Sequence, residues 1–123
     1  MTGFRRAFPA TAAEVGAARQ FLAGLLANHP AAEDAIVCLS ELAANAIQHS
    51  RSGLPGGGFT VALRRSGAAI RVEVTDAGGP WRAASAGDEN GRGLAIVRAL
   101  SDRQGTTSHY SGQRTVWFEL DPR

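Results

Sequence analysis

The first half of the chain carries apolar side chains at helical spacing. Thr11 to Glu14 fits the capping-box pattern of a helix start, and apolar residues then recur every three or four positions as far as the Asn28-His29-Pro30 segment. A second helix is predicted from about Ala31 to Ser50. Its apolar side carries Ile36, Leu39, Ala43, Ala46 and Ile47, and its opposite side carries Asp34, Cys38, Glu41, Asn45 and His49.

Four short segments in the second half have the composition and alternation of strands. Phe59 to Arg65 and Ala69 to Asp76 flank a Ser-Gly-Ala turn, and Gly105 to Tyr110 and Arg114 to Leu120 flank a Ser-Gly-Gln turn. Each pair predicts a hairpin. Apolar and polar residues alternate along them, which indicates a sheet with one buried face and one polar or site-facing face.

Two glycine-rich segments separate these elements. Arg51 to Gly58 predicts a flexible connector, and Ala77 to Gly91 predicts a loop of about fifteen residues, long enough to suggest a functional lid. A third helix is predicted to begin near Arg92. The order of elements predicts one α/β domain over residues 1–123: an α+β two-layer sandwich with helices on one face of a mixed, mainly antiparallel sheet.

Composition narrows the classes of function. The 123 residues are 44% hydrophobic, and thirteen arginines against eleven acidic residues give a net charge of +2. So small an excess argues against direct nucleic-acid binding, and the sequence has no helix-turn-helix signal. No apolar stretch approaches the ~20 residues that span a bilayer, so a soluble, cytoplasmic protein is expected. The single cysteine, Cys38, excludes an internal disulfide and is interpreted as a small core residue.

Three polar features could carry chemistry. Glu41, Asn45 and His49 follow at four-residue steps and would share one helix face. A carboxylate there could accept a proton, and an amide oxygen could bind a hard cation such as Mg²⁺. Taken alone, the stripe is better explained as a solvated helix face.

The other two features lie at predicted element ends. Asp76 closes a strand and is followed by Gly78, so its carboxylate could accept from the amino group of a flat ligand. Gly91 and Gly93 flank Arg92 before an apolar helix, where free amides could bind phosphate. The simpler alternatives are an acidic turn residue and ordinary helix capping.

The segments "ELAANAIQHS", "VTDAGG" and "GRGLAIV", in this order, resemble the three boxes of the GHKL ATP-binding superfamily. That superfamily includes gyrase and the histidine kinases, and its fold is the Bergerat ATP-binding sandwich. The short chain is most similar to the anti-sigma-factor serine/threonine kinases of bacteria. The resemblance extends over nearly the whole chain, to "RTVWFEL".

The resemblance implies a role for individual residues. Asn45 would hold Mg²⁺ against the phosphates, and Glu41 would be the catalytic base for a serine or threonine hydroxyl. Asp76 would accept from the adenine amino group, Gly78 would let the base pack closely, and Thr115 would support the adenine site. His49 would have a positioning or packing role.

The third box implies the phosphate site. The residues expected to line the triphosphate are Gly91, Arg92, Gly93 and Leu94. The chain departs from the superfamily at Pro80, where the acidic box often has glycine, and this change could alter the lid. It also lacks a helix pair with a phospho-accepting histidine, which argues against a sensor kinase.

The resemblance further implies partners and leaves alternatives. It implies an enzyme that uses ATP and Mg²⁺, phosphorylates a small STAS-type anti-anti-sigma protein, sequesters a sigma factor and could form a homodimer. The alternative is a non-catalytic nucleotide-binding module that acts by partner contact alone. A free-standing ATPase of the gyrase kind is disfavoured, because the chain has no transducer domain.

Overall fold

The computed structural model describes residues 2–49, 57–78 and 89–122. All seven elements predicted from the sequence are present, and a further strand precedes them. The elements in chain order are β1 (Thr2–Pro9), α1 (Ala12–Leu25), α2 (Ala32–His49), β2 (Gly58–Ser66), β3 (Ala69–Asp76), α3 (Glu89–Leu100), β4 (Arg103–Ser108) and β5 (Arg114–Leu120).

The strands of the described residues form one five-stranded sheet in the order β1-β2-β3-β5-β4. Every pairing between neighbouring strands is antiparallel. The predicted α+β sandwich is confirmed, and these described strands show no parallel pair of the kind that a mixed sheet would contain.

One face of the sheet packs against the helices. On the central strands this face carries Val61 and Leu63 of β2 opposite Val74 and Val72 of β3, all almost fully buried. Helix α2 lies between α1 and α3 and contacts β2, β3 and β5. Because α2 is covered by the sheet and by a helix on each side, it is buried over a wide arc.

That arc includes positions expected on the polar side of α2. Cys38 is completely buried, which confirms its interpretation as a core residue, and Asn45 is 6% exposed. Dividing α2 into one apolar side and one polar side was therefore wrong. The helix is central in the sandwich, so α1 and α3 cover flanks that a peripheral helix would leave in water.

Strand β1 was missed by the pattern analysis. It pairs along its full length with β2, from Thr2 opposite Arg65 to Pro9 opposite Gly58. It is an edge strand in which Phe8 is buried while Phe4 is 41% exposed. From Gly3 to Pro9 only Phe8 is buried, and two residues are arginines, so this part of the strand lacks the repeated alternation that identifies a half-buried strand.

The first helix is shorter than predicted and is capped differently. Thr11 is the N-cap residue, but its side chain makes no capping hydrogen bond; the Glu14 amide donates to the Thr11 carbonyl oxygen at 2.9 Å. The predicted capping box is therefore wrong. Asn28, with φ of 65°, takes the left-handed conformation in the turns that follow the helix, a role to which asparagine is suited.

No helix in the described part of the chain combines the length and the apolar character needed to cross a membrane.

The packing of Phe8 predicts that the missed strand is essential to the fold. Its ring stacks on Phe59 with centroids 5.5 Å apart and meets Phe21 edge-on at 5.8 Å. Phe8→Ala is expected to lower the free energy of unfolding by about 3 kcal/mol through the lost burial and the cavity left behind. Phe4→Ala, in the same strand but half in water, is the matched control and should cost less than about 1 kcal/mol. Urea unfolding measures both, and equal losses would contradict the assignment of Phe8 as the anchor of β1.

Candidate functional site

Two hydrogen bonds fix the direction of α2 over the sheet. His29, just before α2, is hydrogen-bonded through Nε2 to the Ala68 carbonyl oxygen at 2.9 Å, and Arg65 donates to the Leu25 carbonyl oxygen at 3.3 Å. The end of α1 and the start of α2 therefore lie at the β2–β3 turn. The 18 residues of α2 extend roughly 27 Å from there, so its last turns reach the opposite end of the sheet, where β3 ends at Asp76.

Helix α3 brings its start to the same end. The Asp102 amide, two residues after α3, donates to the Glu119 carbonyl oxygen at 2.9 Å, which places the end of α3 near the β2–β3 turn. Its 12 residues extend about 18 Å back toward the end of the sheet that holds Asp76. We call this end, with the last turns of α2, the end of β3 and the start of α3, the site end.

The start of α3 corrects the predicted phosphate box. The helix begins at Glu89, so Gly91, Arg92 and Gly93 lie within its first turns and not before it. The first four amides of a helix have no acceptor inside the helix. The amides of α3 that could bind phosphate therefore begin earlier in the chain than predicted, and they still include the Gly91 amide. Leu94 is half-buried and packs against the core. The predicted lid is also shorter than expected at its end, and its residues 79–88, including Pro80, lie outside the described residues.

Asn45 is the most unusual group on α2. It is 6% exposed, and its amide nitrogen Nδ2 has no hydrogen-bond partner among the described residues. An unsatisfied buried polar group costs roughly 1–3 kcal/mol, so its retention needs a reason. Glu41 precedes it by one helical turn and is half-buried, which puts a carboxylate and an amide side by side. His49 ends the same helix.

These residues fit a bound Mg²⁺. The Asn45 amide oxygen is the type of ligand that this ion prefers, and Mg²⁺ commonly takes few protein ligands when it also binds phosphates and water. The described residues contain no cluster of three or more His, Cys, Asp or Glu side chains that could enclose a metal alone. Asn45 and a phosphate-bearing ligand could hold such a cation jointly.

Cys38 lies in the buried part of the same helix. Burial raises the pKa of its thiol to about 11, with smaller contributions from the negative charges of Asp34 and Glu41. The thiol is therefore protonated at neutral pH and is not a nucleophile.

Asp76 is held from two sides. It is 4% exposed; the Gly78 amide donates to Oδ1 at 2.7 Å, and Nη2 of Arg114 donates to Oδ2 at 3.0 Å. A carboxylate offers about four lone-pair positions, so capacity remains for a donor from a ligand. The acceptor predicted for an adenine amino group is thus buried, oriented and able to accept further hydrogen bonds.

Gly78 is required by the chain itself. Its φ is 70°, and a Cβ atom at this position would collide with the carbonyl oxygen of Gly112 in the β4–β5 turn. The sequence predicted glycine here because an adenine base would pack closely. The structure adds a second reason, which is the close approach of the Gly78 backbone to the Gly112 backbone. This contact joins the end of β3 to the turn that precedes Arg114.

Thr115 is not brought to Asp76. It lies opposite Thr75 in the β3–β5 pairing, and its hydroxyl oxygen is 2.8 Å from Thr75 Oγ1 and 2.9 Å from His109 Nε2. Neighbouring residues of a strand point to opposite faces, so Thr115 lies on the face away from the helices and Arg114 lies on the face of Asp76. The structure does not support the predicted contribution of Thr115 to the adenine site.

Arg114 is the residue that the sequence analysis missed. It was recognised only as the first residue of a strand, because its position opposite Asp76 depends on the register between β3 and β5. A shift of one residue in register would have exchanged Arg114 and Thr115. Only the pairing of the two strands, which are far apart in sequence, supplies that information.

With this geometry established, comparison with known proteins identifies the family. The family described as the histidine kinase-like ATPase domain matches residues 8–119. The chain belongs to this family. The match confirms the superfamily resemblance of the three boxes, and membership implies nucleotide binding.

A solved structure similar to this histidine kinase-like ATPase domain is that of the RsbU and RsbW domains of Rv1364c from Mycobacterium tuberculosis. The TM-score is 0.74 at 23% sequence identity, over 98% of this chain and 32% of that chain. This chain thus spans about a third of the length of the solved protein, and at this identity the likeness shows a shared fold. A comparison with curated proteins gave no match.

The close approach at Gly78 predicts a large effect of adding one methyl group. Gly78→Ala is expected to lower the free energy of unfolding by more than about 3 kcal/mol, because a left-handed φ and a collision with Gly112 act together. Gly67→Ala is the matched control: its φ is 62°, but nothing lies within 4 Å of the added Cβ. It should cost about 1–2 kcal/mol from φ alone. Similar losses in urea unfolding would show that the contact with Gly112 does not constrain the site end.

Proposed function

We propose that this protein is an ATP- and Mg²⁺-dependent serine/threonine protein kinase of the anti-sigma-factor type. The observation that carries the proposal is Asn45: a buried amide, unsatisfied among the described residues and one turn after Glu41, at the end of the sandwich where Asp76 and the start of α3 also lie. Membership of the histidine kinase-like ATPase family supports the nucleotide.

The proposed nucleotide lies across the site end. Asp76 accepts from the adenine amino group, using lone pairs that Gly78 and Arg114 leave available. The triphosphate lies toward the start of α3, where unpaired amides and the helix dipole favour negative charge. Gly91, Arg92, Gly93 and Leu94 remain the proposed residues of this phosphate site.

Glu41 and Asn45 have different proposed roles at the γ-phosphate. Asn45 contributes its amide oxygen to the cation, and its amide nitrogen can donate to a phosphate oxygen. When bound, Mg²⁺ would neutralise charge that develops on the phosphates. Glu41 accepts the proton of the attacking serine or threonine hydroxyl, a role for which a half-buried carboxylate one turn from the phosphate site is suited.

The proposed partners follow from the resemblance to anti-sigma-factor kinases. The phosphate acceptor would be a small STAS-type anti-anti-sigma protein, and the sequestered partner would be a sigma factor. A cytoplasmic location is proposed together with these partners. The similarity of fold to a protein with an RsbW domain supports this assignment. A homodimer is proposed on the same resemblance.

Thermal unfolding with and without Mg²⁺ tests the nucleotide site. ATP at a hundred times its Kd should stabilise the native state by about 2.7 kcal/mol, and Mg²⁺ should strengthen that effect. Asn45→Ala should remove the additional effect of Mg²⁺ while a metal-free response to ATP remains. Gln48→Ala, exposed on the same helix, is the control and should respond as the wild type does. A flat response of the wild type at millimolar ATP would refute nucleotide binding.

Phosphotransfer tests Glu41. With γ-labelled ATP and a STAS-domain protein from the same organism, Glu41→Gln should slow label transfer by about 10²- to 10⁴-fold, the usual contribution of a general base. Its affinity for ATP should change little, since the side chain keeps its size. Glu33→Gln, exposed in the first turn of α2, should transfer label at the wild-type rate. ATP binding by the wild type without any transfer would leave the non-catalytic nucleotide-binding module as the function.

A further inference from the structure

The ion pair between Arg114 and Asp76 differs from the other ion pairs of the described residues. Its side chains are 11% and 4% exposed, and Nη2 and Oδ2 are 3.0 Å apart. The other pairs join Arg71 to Glu73 and Glu119, and Arg103 to Glu119, on the sheet face away from the helices, where the Arg103 side chain is 70% exposed. Pairs of that kind add little stability, whereas a buried pair must offset the desolvation of two charges.

The position of this buried pair is tightly constrained. Arg114 follows the β4–β5 turn, whose Gly112 carbonyl packs against Gly78, and Gly78 in turn donates to the other oxygen of Asp76. The guanidinium and the carboxylate therefore reach the site end together, on adjacent strands. Burial lowers the pKa of Arg114, and the negative charge of Asp76 opposes this shift. Arginine nevertheless stays protonated, so a fixed donor lies beside a fixed acceptor.

That arrangement complements an edge of adenine. The exocyclic amino group of adenine is a donor, and a ring nitrogen on either side of it, N1 or N7, is an acceptor. A carboxylate alone can recognise only the amino group. A guanidinium carries five N–H groups in a rigid plane, so one that binds Asp76 can present another to a neighbouring acceptor.

From this geometry we infer that Arg114 is a second base-recognition residue. It donates a hydrogen bond to the adenine ring nitrogen next to the amino group, and Asp76 accepts a hydrogen bond from that amino group. The inference rests on the proposed function, because it concerns the same nucleotide site. It assigns base specificity to a pair of side chains on β3 and β5, with Thr115 excluded by its position on the other face of the sheet.

Nucleotide analogues test this contact atom by atom. Calorimetric titration would compare ATP with the triphosphates of 1-deazaadenosine and 7-deazaadenosine, each of which replaces one ring nitrogen by a CH group. The wild type should bind one of the two at least about tenfold more weakly than ATP, the loss expected for one hydrogen bond from a charged donor. In Arg114→Met the ratio of the Kd of that analogue to the Kd of ATP should fall below about twofold, because the donor is absent.

Two further variants keep the test decisive. Arg103→Met removes an exposed arginine near the opposite end of the sheet and should retain the wild-type ratio. Arg114→Met leaves Asp76 as an unpaired buried charge and could unfold the protein. The double variant Asp76→Asn, Arg114→Met removes both charges while keeping a side-chain oxygen for the amino group, and it should also lose the analogue penalty.

The outcomes separate this inference from the function on which it rests. If the wild type does not bind ATP, both fail. If it binds ATP and both analogues equally, or if the penalty persists in Arg114→Met or in the double variant, ATP binding stands and the role of Arg114 is refuted.

Discussion

The burial of α2 against the sheet and between two other helices is the constraint on which the site depends. A helix in that position can expose few of its side chains, and Asn45 is carried into the interior although its amide nitrogen has no partner among the described residues. A core built for stability alone would place an apolar residue there. The polar group is consistent with a ligand that completes its hydrogen bonds, and this reasoning connects the packing of the fold to the proposed nucleotide.

The same packing explains why the three candidate segments meet. The directions of α2 and α3 bring these segments together, whereas their order in the sequence and their composition do not. Both are fixed at the far end of the sheet, α2 by the contacts of His29 and Arg65 and α3 by the hydrogen bond from Asp102 to the Glu119 carbonyl. These contacts lie some 20 Å from the site, roughly the length of a helix, and they determine which helix ends face Asp76. Residues far from the proposed ligand thus set the geometry of the site.

The sequence allowed prediction of the elements that repeat their pattern over several positions. The strand from Ala69 to Asp76 has its predicted bounds because three apolar residues alternate with polar ones, and α2 is within a residue of its predicted start and end. From Gly3 to Pro9, strand β1 has a single buried anchor, Phe8, and no repeated pattern to detect. The predicted start of α3 lies near Arg92 because Gly91 was interpreted as the last residue of the loop, whereas it lies within the helix. Local composition indicates glycine preference but cannot show that a helix overrides it.

The site residues were predicted about as well as the elements were, and the prediction missed some of them for a related reason. Glu41, Asn45 and Asp76 were identified because each belongs to a local motif, and the structure places Asn45 and Asp76 at the same end of the sandwich in buried positions. Arg114 and Thr115 are neighbours in sequence, yet the pairing of β5 with β3 sends one toward Asp76 and the other to the opposite face. Register is a property of two strands, here separated by nearly forty residues, and no local pattern encodes it. Where a buried carboxylate meets a buried guanidinium, the polar composition of the pocket depends on that register, and the chemistry that the pocket can recognise depends on it as well.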